Sequence, residues 1–193
     1  MGTRLYQVIL LFTISALLSS ILTAQTPNIS LTYDDTTFGY FIVSPINWTN
    51  AELECNNWGG HLATIKSAEE DSLLFYTIID FNNSFSCYIG LNDIDVEAGT
   101  NVSAFVWVDG SNSTYRNFQS NFGHASPTGG PDNDCVRFRY SNVEGVLSSG
   151  WINRRCSFTR PCYFCNKAGN SGGCDLIYDD FCYRLFEVRD GIN

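Results

Sequence analysis

The sequence predicts an α+β domain, disulfide-stapled and carried on an exported chain. Three observations lead there. Two helix-start signals stand early, Thr49 with Glu52 and Ser67 with Glu70, each a hydroxyl followed three residues on by a carboxylate that can close a capping box. After Phe81 the pattern changes to short apolar runs broken by Gly, Asn and Ser, the rhythm of strands joined by turns. Helices first and strands afterwards belong to the α+β class. Eight cysteines follow an apolar leader, and in an exported chain they read as disulfides rather than metal ligands.

Residues 1–24 read as a signal peptide. Arg4 is the only charge before Asp34, an apolar stretch runs from Val8 to Leu22, and Ala24 offers a small-residue cleavage edge before Gln25. About 15 apolar residues fall short of the roughly 20 that span a bilayer. The product is therefore expected to be secreted and extracellular, with no membrane insertion. The formal net charge is −9, and removing the leader takes Arg4 and no acid, leaving −10. So acidic a chain, with no clustered Lys or Arg, is poorly suited to nucleic acid or an anionic membrane. N-x-S/T sequons at Asn28, Asn47, Asn82, Asn101 and Asn112 make it a candidate glycoprotein.

Residues 25–33 read as a short polar lead. Phe38, Tyr40 and Ile42 alternate with Gly39, Phe41 and Val43, which predicts a first strand buried on both faces; Pro45 ends it. A helix over 49–58 brings Trp48, Ala51, Cys55 and Trp58 to one side. Gly59 and Gly60 then break it through a left-handed turn. A second helix over 68–79 turns Leu74 and Ile78 inward. Strands are expected at 86–91, 105–108, 134–139 and 162–166. The stretch from Asn92 to Asp134 contains one strand and little other pattern, and so long a loop in a compact domain is usually functional. In residues 169–193, Tyr178-Asp179-Asp180 and Phe181-Cys182-Tyr183 echo Tyr33-Asp34-Asp35 and Phe38-Gly39-Tyr40. This tail reads as the opening of a truncated second domain; the alternative is an unrelated disulfide-closed tail.

The helix ending in Gly59-Gly60-His61-Leu62-Ala63 is followed by Tyr88-Ile89-Gly90-Leu91, Trp107-Val108-Asp109-Gly110, Asp134-Cys135-Val136, Trp151 before Cys156, and Tyr163-Phe164-Cys165. In that order and spacing these pieces resemble the C-type lectin-like domain, over about residues 34–168. The resemblance implies two helices with antiparallel sheets and a long loop region. It pairs Cys55 with Cys165 and Cys135 with Cys156. Cys87 and Cys162 remain, each just ahead of a strand, and are paired as a hypothesis. Cys174 and Cys182 match the extra amino-terminal disulfide of longer versions of the fold.

Sugar-binding members of that family hold calcium in the long loop, and the mapped ligands are altered here. Ser126-Pro127-Thr128 stands where a Glu-Pro-Asn or Gln-Pro-Asp triplet belongs, Asn133 replaces a Glu, and Ile152 and Asn153 replace an Asn-Asp pair. Calcium needs six to eight oxygens with carboxylate charge, so the sugar-bridging site is expected to be degraded. An auxiliary calcium site matches better, through Asp93, Glu97 and Asp134 with Asp132 as a further carboxylate; the alternative is that Asn92, Asp93 and Glu97 cap turns and face water.

Three functions follow from these residues. The first is a secreted recognition module that binds a glycan or glycoprotein through the long loop, with exposed Phe118, Asn121, Phe122 and Asn133 stacking on or hydrogen-bonding a sugar, and Ser126, Thr128, Asp132 and Asn153 completing the candidate ligand set. The second is a calcium-independent protein-binding module for an extracellular partner. The third, a cysteine-based oxidoreductase, would use the C-x-x-C of Cys162 and Cys165. His61 and His124, the two histidines, have no catalytic set around them, so no enzyme is expected.

Overall fold

A computed structural model describes residues 24–81, 86–119, 126–143 and 146–169. The leader before Ala24, Asn82, Asn121, Phe122, His124 and the tail with Cys174 and Cys182 lie outside the described residues.

Eleven elements follow in order: β1 (Ile29–Tyr33), β2 (Thr36–Ile46), α1 (Trp48–Trp58), β3 (His61–Leu62), α2 (Ala68–Phe81), β4 (Ser86–Asn92), a 3-10 turn (Val102–Ala104), β5 (Val106–Trp107), β6 (Cys135–Val143), β7 (Val146–Arg154) and β8 (Arg160–Ala168). The strands form one sheet in the order β1-β2-β8-β4-β6-β7, with β3 on β8 and β5 on β4. Pairings are antiparallel except where β4 meets β8 in parallel at Tyr88 and Tyr163. Each face carries its own core. One cluster gathers Phe38, Leu74, Ile78, Trp107, Phe138, Trp151 and Phe164; the other gathers Phe41, Trp48, Ala51, Cys55, Tyr88 and Tyr163 under α1.

The first helix begins one residue before Thr49, because Asn47 is its cap: the Asn47 side chain accepts from the Asn50 N–H at 2.9 Å. Glu52, expected in a capping box, instead pins β3 to α1. Its two oxygens take His61 Nδ1 at 2.6 Å and the Leu62 N–H at 2.8 Å. The box at α2 forms in relaxed form, since Ser67 Oγ accepts from the Glu70 N–H while Glu70 reaches the N–H of Lys66 rather than of Ser67. Gly59 closes α1 at φ 94°, as a left-handed cap requires. Gly60 has a different reason: a Cβ there would lie 2.2 Å from the Asn166 carbonyl, so only glycine lets α1 run onto β8.

Four strands depart from the sequence expectation. β2 runs through Pro45 to Ile46 instead of ending at the proline, the two-residue β3 is added by pairing with β8, and β1 and β7 are also new. Residues 29–33 are β1 rather than a lead, folded back on β2 through Asp34 and Asp35, with Asp34 at φ 52°. Of its five residues only Leu31 is fully buried, too few to give an alternation. β7 is absent from the expected set, and its Ser148-Ser149-Gly150 consists of residue types that favour turns. Tertiary packing overrides that local signal: a Cβ on Gly150 would lie 2.2 Å from the Gln119 side chain, so the glycine admits a neighbour to a regular strand.

Three of the four expected disulfides form among the described residues: Cys55–Cys165 joins α1 to β8, Cys87–Cys162 joins β4 to β8, and Cys135–Cys156 ties β6 to the turn after β7. Among the described residues no cysteine is free. Cys162 and Cys165 each bond a different partner, so their C-x-x-C is no dithiol, and this removes the redox reading. No described helix is long and apolar enough to cross a membrane.

Candidate functional site

The long loop leaves the sheet at β4 and returns at β6, and three polar side chains hold its described parts. Arg116 lies beneath the first half. Its guanidinium donates to the carbonyls of Val102, Phe105, Ser113 and Tyr115 at 2.7–3.1 Å and lies 5.4 Å from the Trp107 ring centre. A cation bound to four carbonyl oxygens and an aromatic face organises a loop as a metal ion would. Asp71, in the first turn of α2, holds the middle. It accepts from Trp151 Nε1 and Asn117 Nδ2, each at 2.7 Å. Burial raises its carboxyl to about pH 6 against the pull of those two donors.

Asn153 holds the far end. It is 1% exposed, and its amide joins three segments. Oδ1 accepts from the Thr128 N–H at 2.8 Å and the Ser126 hydroxyl at 3.1 Å. Nδ2 donates to the carbonyls of Thr128 at 2.9 Å and Asn133 at 2.7 Å. The residue at a mapped cation-ligand position thus makes, as a neutral donor and acceptor, the cross-links that a cation would make by coordination.

This geometry sorts the candidate ligand residues. Asn153 and the Ser126 hydroxyl are spent internally. Phe118 corrects the expectation of an exposed ring: it is half-buried, packed 5.2 Å from Phe105 and 6.1 Å from Trp151, and bridged to Trp151 through the backbone. An aromatic flanked by polar residues looks exposed in sequence, yet here it props the loop. Gly129, Gly130, Pro131 and Asp132 are exposed between half-buried Thr128 and Asn133. Asp132 pairs with Arg155 at 3.2 Å.

At the auxiliary carboxylates, Asp93 is 4% exposed and its Oδ2 accepts from the Ala98 N–H at 2.9 Å, which is the turn-capping role. Its Oδ1 and Asp134 Oδ1 are both buried without a hydrogen-bond partner. Burial first, then neighbouring carboxylates, raises the pKa of each. Among the described residues, no group of three or more His, Cys, Asp and Glu side chains is placed to hold a metal ion. The fit to calcium is therefore partial, since Glu97 is exposed and Asp132 is engaged by Arg155.

Elsewhere, a cleft of about 350 Å³ between β2, β3 and β8 is lined by Lys66, His61, Asp109 and Lys167 and contains none of the candidate ligand residues. Of the sequons, Asn28, Asn101 and Asn112 are exposed and Asn47 is half-buried. Arg116 and Asp71 escaped the sequence reading. An arginine alone in a polar loop was the available signal for the first, whereas Asp71 reads as one of three acids favouring a helix N-terminus.

A sequence profile of the Lectin C-type domain matches residues 44–167. Regenerating islet-derived protein 4 of Rattus norvegicus is 36% identical over 81 residues, covering 41% of this chain and 48% of that protein. Its Homo sapiens namesake is 30% identical over 123 residues, 63% of this chain and 70% of that protein. C-type lectin domain family 4 member M of Hylobates lar is 33% identical over 119 residues, 61% of this chain and 26% of that protein. The chain thus spans about half of the rat protein and a quarter of the Hylobates protein. Among solved structures, human lithostathine superposes with a TM-score of 0.58 at 20% identity, covering 75% of this chain and 92% of that one. A calcium-independent type II antifreeze protein gives 0.56 at 24%, covering 76% and 96%. These likenesses show the fold alone.

Proposed function

The chain belongs to the Lectin C-type domain family, and we propose that it is a secreted recognition module binding a glycan or glycoprotein through its long loop without a sugar-bridging calcium ion. Asn153 carries this reading. Its amide already satisfies Ser126, Thr128 and Asn133, so the loop holds its shape at the position where the mapped carboxylates are absent. The ligand surface on this reading is the exposed ridge 129–132 with Thr128 and Asn133 at its ends. Secretion rests on the leader and on three disulfides, which persist in oxidising compartments.

A weaker, separate calcium site at Asp93 and Asp134 is part of the proposal. The two orphaned buried oxygens support it, and Glu97 and Asp132 would have to turn inward to complete the shell. So few carboxylates correspond to a dissociation constant of about 10⁻⁴–10⁻³ M. A protein partner is the second reading, favoured by three exposed aliphatic side chains near the loop: Ile94, Val96 and Val106, at 43%, 51% and 46%.

A glycan array probed in calcium and again in EDTA tests the main reading. The same glycans are expected to bind in both. Binding that vanishes in EDTA overturns the calcium-independent loop, and a blank array in both conditions moves the case to the protein partner.

A further inference from the structure

We propose that the face of the β6–β7 ribbon beside α1 carries a binding track for a sulfated polysaccharide, formed by Arg137, Arg139 and Arg154. The register sets the row. Cys135 lies opposite Arg154 and Arg137 opposite Ile152, with no shift along the ribbon. Directly opposed residues share a face, and so do residues two apart on one strand. The three arginines therefore point one way, while Val136, Phe138 and Tyr140 fill the core on the other side. Arg137 and Arg139 are about 7 Å apart along the strand and Arg154 continues the row on the diagonal at about 7–8 Å.

These guanidinium groups are not spent. Acids outnumber bases 20 to 11 in the chain, yet among the described residues none of the three has a carboxylate partner. The described arginine ion pair is Arg155 with Asp132. Arg154 donates to the backbone carbonyl of Asn153. Arg137 Nε is buried with no hydrogen-bond partner at all. All three residues are half-buried, flanking the buried Cys135 and Ile152 of the same face. An unpaired guanidinium fork is matched by a sulfate, phosphate or carboxylate that it can grip with two hydrogen bonds.

Shape and place choose among polyanions. Duplex DNA is a stiff rod read by an element that enters one of its grooves, which a row on a sheet face does not do. An extended peptide binds by adding to a sheet edge, whereas this row lies on a sheet face. A sulfated polysaccharide, a flexible single chain whose sulfates a guanidinium fork can grip, meets both conditions. The row ends at Arg154, at the close of β7, whereas Asn153 and the loop residues it binds lie on the opposite face of the ribbon with Val136. The track therefore stands independently of the proposed function.

The test measures binding of the full secreted chain to immobilised heparin and to desulfated heparin, in EDTA, across a salt series. The wild type is expected to bind heparin and not the desulfated form. The R137Q/R139Q variant is expected to lose at least tenfold in affinity, with a salt dependence shallower by about two contacts. Its melting temperature and its neutral-glycan array hits stay those of the wild type, which separates this track from the long loop. No heparin binding by the wild type, unchanged binding by the variant, or equal binding of polyglutamate would each overturn the track. Blank neutral-glycan arrays with heparin binding intact would sink the long-loop reading and leave the track standing.

Discussion

The Trp151 indole donates to the Asp71 carboxylate at 2.7 Å across 80 positions of sequence, with both residues buried. One hydrogen bond thus joins the start of α2 to the centre of β7. Asn117 adds a second from the long loop, at 2.7 Å. The helix, the last ribbon and the loop share one titratable group.

That group makes stability depend on pH. The Asp71 carboxyl is raised from 3.8 to about 6 by burial, so the folded chain holds its proton more tightly than the unfolded chain does. Its contribution is complete below the unfolded value and lost as pH rises through about 6. A shift of this size is worth about 3 kcal/mol. Chemical denaturation from pH 4 to pH 7 should show the wild type losing stability relative to D71N by up to that amount; a flat difference curve removes Asp71 as its source.

Removing the Asn153 amide strands the half-buried carbonyls of Thr128 and Asn133. The N153A variant is expected to lose about 2–4 kcal/mol, the cost of several unmade buried hydrogen bonds. Amide exchange should quicken in residues 126–133 while β4 and β8 stay protected. Unchanged exchange there would show that other contacts hold the loop.

Calcium should stabilise the chain through Asp93 and Asp134. At ten times its dissociation constant, a ligand adds about 1.4 kcal/mol, or roughly 3–6 °C for a chain of this size. The rise should appear in calcium, vanish with a chelator and be absent in D93N. Superimposable melts with and without calcium rule the site out.

The Cys87–Cys162 bond closes a separation of 75 residues, which chain entropy values at about 4.5 kcal/mol. Replacing both cysteines by alanine should lower stability by up to that amount while the other two bonds still form, as peptide mapping without reduction would report. A loss below about 1 kcal/mol would show that core packing alone holds β4 against β8.

Much of this architecture was legible because it depends on local pattern. Helical spacing brought Trp48, Ala51 and Cys55 into the core as expected, and the inward face of α2 was equally plain. The order of the aromatic and cysteine pieces led to the fold and to two of the described disulfides, and the third joins the two cysteines that remained. Residues that serve a distant neighbour were harder to read. Glu52 had the spacing of a cap and became the pin for β3; Phe118 had the surroundings of an exposed ring and became a prop.

The amino-acid order by itself determined the class of fold, the exported character expected of the chain and the loss of carboxylates at the mapped sugar site, since each follows from residue type and near-neighbour spacing. Only the tertiary structure decided what replaced those carboxylates, which arginines stayed unpaired and which polar groups hold the loop. Those outcomes depend on strand register and on hydrogen bonds between residues tens of positions apart, and neither is encoded in any short stretch of chain.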